Sequence, residues 1–152
     1  MIDSPAYYDP TGNSGNNKLP TGNYKATIVD MNTITDIKCG TFIADIFKPV
    51  YRINSGEHNN TEVIDNGIFR YKQVDGHNYK SSKNWGFAKF MQLMKLAEEK
   101  NGRIDLPYIK KYDVLHKQVD IMVWDKTFTN ETNDQISYPV ARAVSLISEV
   151  PF

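Results

Sequence analysis

TFIADIFKPVYRI, running from Thr41 to Ile53, carries more β-strand signal than any other part of the chain. It is rich in β-branched and aromatic residues, which fit a pleated, half-buried surface. Alternation puts Phe42, Ala44, Ile46 and Val50 on one face and Ile43, Asp45, Phe47 and Tyr51 on the other. Both faces carry large apolar groups, as expected of a barrel strand with one face in the core and one turned to a ligand. Pro49 lacks a ladder donor, which predicts a bulge or an edge there.

Working outward, residues 23–32 alternate Tyr24, Ala26 and Ile28 against Lys25, Thr27 and Val29, an earlier strand, and residues 36–40 read as the turn between the two. Residues 54–60 contain Ser55-Gly56 and predict a hairpin loop; residues 61–74 return as a third strand, bent at Gly67. Asp75-Gly76 is a tight-turn pair. A helix is predicted over about residues 84–101, capped by Ser82 or Asn84, with Phe87, Phe90, Met91 and Met94 in its apolar stripe and Asn101-Gly102 as its stop. Residues 117–125 and 138–147 read as two more strands around a polar loop, 126–137. Residues 1–19 are a tail of turn and linker chemistry, residues 20–147 the folded domain, and residues 148–152 a short C-terminal tail ending Pro151-Phe152.

Three strands, a helix, then two strands is the element order of an OB-fold: a mainly β, five-stranded Greek-key barrel with one helix between strands three and four. Such a barrel explains why the helix needs only one apolar stripe, since it plugs an open end.

The chain has 152 residues, 40% hydrophobic and 24% charged, with 18 basic and 18 acidic side chains. That fits one globular domain with tails and excludes a coiled coil or a wholly disordered chain. The opening residues show no signal-peptide pattern, no apolar run suits a membrane helix, and the single Cys39 cannot form an internal disulfide. These features point away from secretion and membranes. Neutral net charge argues against an indiscriminate polyanion binder. The charges are unevenly placed, however: residues 34–117 hold 14 basic and 10 acidic groups, a net of +4.

No phosphate-cradling glycine loop and no G-x-S-x-G elbow is present, and His58, His77, His116 and Cys39 lack zinc-site spacing. Asp45, Asp65 and Asp120 are the carboxylates a metal-dependent nuclease could gather, though their spacing does not require it. The reading is a non-enzyme, with no metal or cofactor. The informative pattern is the interleaving of rings and cations: Phe47, Tyr51, Arg52, Phe69, Arg70, Tyr71, Lys72, Lys83 and Trp85, with Trp124 further on. Single-stranded nucleic acid is bound by that mixture, rings stacking on bases and cations meeting phosphates. In an OB-fold the surface of strands two and three is the usual place for it. Some of these rings must be core, and a one-residue slip would exchange the faces.

Leu19-Pro20, Gly22, Tyr24, Ala26 and Ile28, the Phe-rich second strand, Gly86-Phe87 with Lys89-Phe90, Leu115-His116-Lys117 with Val119, and Tyr138-Pro139 together resemble the small OB-fold single-stranded-DNA-binding proteins of tailed bacteriophages. His116 stands where that pattern has Gly. The resemblance spans about residues 19–147. It implies a sequence-tolerant protein that coats and protects single-stranded DNA during phage replication or recombination, in the cytoplasm of an infected bacterial host, without a cofactor. The same stacking chemistry accepts RNA. The terminal Pro151-Phe152 resembles the tip with which such proteins dock on replication or recombination partners. The competing reading is a structural or virion β-barrel that binds a protein or a carbohydrate through the same rings.

Overall fold

The computed structural model of the chain describes residues 19–75, 77–78, 84–95, 99–100, 103–104 and 109–147. Its elements are β1 (Gly22–Cys39), β2 (Phe42–Ile53), β3 (Glu62–Ile64), β4 (Ile68–Val74), β5 (His77–Asn78), α1 (Trp85–Leu93), β6 (Glu99–Lys100), β7 (Arg103–Ile104), α2 (Lys111–Val114), β8 (Gln118–Thr129) and β9 (Gln135–Leu146). The protein is mainly β. Its principal sheet runs β5-β4-β2-β1-β8-β9, with β3 attached to β2, while β6 and β7 form a small separate hairpin.

The path therefore has six strands rather than the expected five. The sixth is β5, two residues that pair back on β4 after Asp75, while β3, off the path, arises because the third strand breaks in two. Gly67, at φ 121°, adopts a backbone that side-chain-bearing residues avoid, and the chain turns there between β3 and β4. An isolated parallel bridge joins Asp65 to Ala141, and the Asn66 N–H donates to the Ala141 C=O at 2.9 Å. The chain just after β3 thus meets β9, the strand at the other end of the sheet path.

The two faces of β2 behave differently. Phe47, Pro49, Tyr51 and Ile53 are buried, whereas Ile46, Lys48 and Val50 are half-buried and Arg52 is exposed. The buried row packs with Ala26 and Ile28 of β1 and with Val119, Ile121 and Val123 of β8. Phe47 and Tyr51, both expected as ligand-facing rings, are fully buried. That corrects their assignment: Phe47 lies 5.4 Å from the Phe87 ring, centroid to centroid, and belongs to the core. Each such large side chain contributes about 1.5–3 kcal/mol by leaving water.

Helix α1 buries Phe87, Ala88, Phe90 and Met91 against this core, with Met94 just beyond its end. It is shorter than the sequence pattern predicts. Lys95 takes φ 62°, its N–H donating to the Gln92 C=O, and the chain is already extended at Glu99–Lys100. Leu19, expected as the last residue of the tail, is 1% exposed and part of the core.

The two hairpins are longer than expected. β1 continues through the predicted turn to Cys39, absorbing Asp36 (φ 56°) in an irregularity between Ile34 and Ile37. The predicted polar loop between the last two strands is instead mostly strand, with Thr127 opposite Ser137 and Phe128 opposite Ile136. Asn130 closes its tip, its Oδ1 accepting from the Thr132 and Asp134 N–H groups at 2.9 Å each.

Candidate nucleic-acid interface

Pairing across the sheet places Phe69 beside Ile46 and Tyr71 beside Ala44. The two rings stack at 5.8 Å and 20°, and Tyr71 also meets Phe42 edge-on at 5.0 Å. Tyr71 is held from the other side by Asn84. Its N–H donates to Asn84 Oδ1 at 2.6 Å, and Asn84 Nδ2 donates to its C=O at 3.2 Å. Asn84 occupies the helix N-cap position, yet its side chain does not cap the helix. It continues the β4 ladder instead, and so ties the start of α1 to the aromatic strand.

That tie presents Trp85, the first residue of α1, with 66% of its surface exposed. Lys89 stands one helical turn on, its Nζ 5.1 Å from the Trp85 ring centre. Trp124 of β8 and Arg142 of β9 complete a groove of about 420 Å³ also lined by Phe69, Tyr71 and Phe90. Its size is that of a small-ligand site, 300–1,000 Å³ or so. Four of the ring residues expected from the sequence, Phe69, Tyr71, Trp85 and Trp124, are thus brought together.

The expected cations fare otherwise. Arg70 Nη1 lies 3.6 Å from Asp45 Oδ2, and its guanidinium is 5.7 Å from the Phe87 ring centre. Lys72 Nζ contacts Asp36 Oδ1 at 2.7 Å and Asp45 Oδ1 at 3.1 Å, bonds that raise its pKa above the usual lysine value. Asp45 is completely buried. A buried carboxylate needs compensating charge, and Arg70 and Lys72 supply it. Arg52 donates to Glu62 at 2.8 and 3.2 Å. These three cations are engaged within the fold. Lys83, Pro151 and Phe152 lie outside the described residues.

The cations that line the groove are Lys89 and Arg142. Neither forms an ion pair with a carboxylate at salt-bridge distance among the described residues. Each left a trace in the sequence: Lys89 follows Trp85 at i,i+4 spacing, and Arg142 interrupts the apolar alternation of the last strand.

One acid also contributes to the groove wall. Asp65, 2% exposed, accepts from the Tyr51 hydroxyl at 2.5 Å and from the Gly67 N–H at 2.8 Å. Burial pushes its pKa up to about 7, against the opposing pull of these two bonds and of Lys48 and Arg142. Burial likewise pushes the Lys48 pKa down, with Lys126 adding repulsion.

The three strand aspartates do not gather. Asp45 is held by Arg70 and Lys72, Asp65 by Tyr51, and Asp120 by Lys25 and Ser145. Among the described residues no three His, Cys, Asp or Glu side chains come close enough to share a metal. No described helix is long and apolar enough to cross a membrane.

Comparison with known proteins returns no match: no family model fits the chain, and no curated protein or solved structure is significantly similar to it.

Proposed function

We propose that this chain is a sequence-tolerant single-stranded-DNA-binding protein built on an OB-like barrel. The observation that carries the reading is the groove in which Phe69, Tyr71, Trp85 and Trp124 meet Lys89 and Arg142. Rings give stacking surfaces that every base can use, worth roughly 1–3 kcal/mol per base, and the cations meet phosphates. With few cations at the site, affinity rests more on stacking than on charge. The neutral chain as a whole fits that balance.

The barrel is supported by strand neighbours. β1 pairs with β2 and β8, β8 with β9, β2 with β3, and Asp65 bridges to Ala141 of β9. If β3 and β4 are counted as one broken strand, these neighbours form a ring in the order of a five-stranded Greek-key barrel. Helix α1 packs against it between the third and fourth long strands, as in an OB-fold. A role in coating DNA during phage replication or recombination in the infected bacterial cytoplasm, with partners at the C-terminal tip, extends this reading through the sequence resemblance.

The test is competition for fluorescently labelled oligo-dT between unlabelled oligo-dT and a duplex of equal length, at low and moderate salt. Single strands should compete far better than duplex, and affinity should fall with salt. If oligo-dT does not bind, or duplex competes equally, the reading fails. A protein or carbohydrate bound by the same rings would show little salt dependence.

A further inference from the structure

Asp65 stands at a junction that the DNA reading leaves unused. It forms the Ala141 bridge that joins β3 to β9, and it contributes to the wall of the aromatic groove. Around its carboxyl stand the Tyr51 hydroxyl and Lys48 from β2, the Gly67 N–H from the following turn, and Arg142 from β9. Lys126 of β8 lies close by, donating to Asn66 Oδ1 at 3.0 Å and repelling Lys48. A negative charge on Asp65 therefore draws on Arg142, the same side chain that lines the groove.

We propose that Asp65 makes strand binding proton-linked: the groove takes up a proton at this carboxyl when a single-stranded polyanion occupies it. The inference rests on the nucleic-acid reading of the same groove. The cause is Coulombic. Phosphates entering the groove bring negative charge toward a buried carboxylate in a medium that screens poorly, and they compete with it for Arg142. Both effects favour the protonated acid. Asp65 already holds its proton to about pH 7, so the uptake falls in the range where a cell operates. Reciprocity follows by linkage: what raises the proton affinity of the complex makes the protonated protein bind the strand more tightly.

The experiment follows oligo-dT affinity at constant salt from about pH 6 to about pH 8.5, a range that brackets the acid's titration. Wild type should lose affinity as pH rises, by about tenfold for each unit by which the strand raises the acid's pKa. Asp65→Asn keeps an acceptor for Gly67 and a polar partner for Tyr51, and should bind with nearly pH-independent affinity. Calorimetry in two buffers of different protonation enthalpy reads the proton directly. Wild type should show uptake on binding. A variant carrying His58→Gln, His77→Gln and His116→Gln should show the same uptake, and this arm does not depend on how Asp65→Asn folds. Binding that is independent of pH, or uptake that vanishes in the histidine variant, overturns the proposal and leaves the DNA reading standing. Failure to bind oligo-dT at any pH overturns both.

Discussion

His116 takes φ 71° at the turn from α2 into β8, with its N–H donating to the Ile28 C=O at 2.8 Å. Its side chain is exposed, so the left-handed backbone is sustained by that hydrogen bond and the turn around it. A side-chain-bearing residue pays about 1–2 kcal/mol for this conformation. His116→Gly keeps the backbone bond and should stabilise the fold by roughly 0.5–1 kcal/mol, after the extra freedom of glycine in the unfolded chain is deducted. Thermal melting checks it, and oligo-dT affinity should not change. Asp65 gives a second prediction at this scale. Its folded pKa of about 7 lies above the unfolded value of about 3.9. The unfolded chain releases the proton first, so stability falls as pH rises from about 4 to about 7 and is level beyond, a loss of up to about 4 kcal/mol from this group. Asp65→Asn should remove that fall in denaturant melts; an unchanged slope would contradict it. Tyr51 shows what the sequence could not convey. Its strand has apolar residues on both faces, and the row that faces inward depends on pairing with β1 and β8. Tyr51→Ala should therefore cost several kcal/mol of stability, comparable to the roughly 3–5 of a buried Phe→Ala, and unfold the protein before any binding assay reports on it.

At the scale of elements, β4 and α1 act as one unit because Asn84 joins them. Groove rings and groove cations should leave different signatures. Trp85→Ala should weaken oligo-dT binding by roughly 1–3 kcal/mol with little change in salt slope. Lys89→Ala or Arg142→Ala should each lower that slope by about 0.7, the single-strand value per phosphate contact. Lys72→Ala should leave the slope nearly unchanged and lower stability instead, because Asp45 loses one of its two counter-charges. A full drop in slope for Lys72→Ala would place phosphates where the structure has a buried ion cluster. The elements themselves were largely legible. Alternation marked β1 and β2, Gly67 marked the bend after β3, and the Phe87, Phe90, Met91 stripe marked α1. Element ends were not. Hydrophobic period cannot see that Lys95 turns left-handed. Nor can it see that a polar stretch such as residues 126–137 pairs with itself as a hairpin, since exposed strands on both sides need no apolar alternation.

For the whole molecule, the long-range contact between the end of β3 and β9 was the least legible feature. A single bridge from Asp65 to Ala141 joins segments 76 positions apart, and no local pattern announces it. The candidate site shows the same division. Its rings were readable as types in the sequence, but their meeting depends on β9 and α1 reaching β4, and the cations of greatest local density went to neutralise Asp45. Charge clustering therefore pointed to side chains that the fold engages in ion pairs, and not to Lys89 and Arg142, which line the groove. The central claim is that a single strand lies against Trp85 beside Lys89 and Arg142. The chain has two tryptophans, so Trp124→Phe leaves Trp85 as the sole indole while keeping a ring in the groove. Oligo-dT titrated into this variant should quench the Trp85 emission saturably, an equal-length duplex should quench it far less, and added salt should weaken the quenching. Binding of oligo-dT with Trp85 emission unchanged, or equal quenching by duplex, would contradict the account.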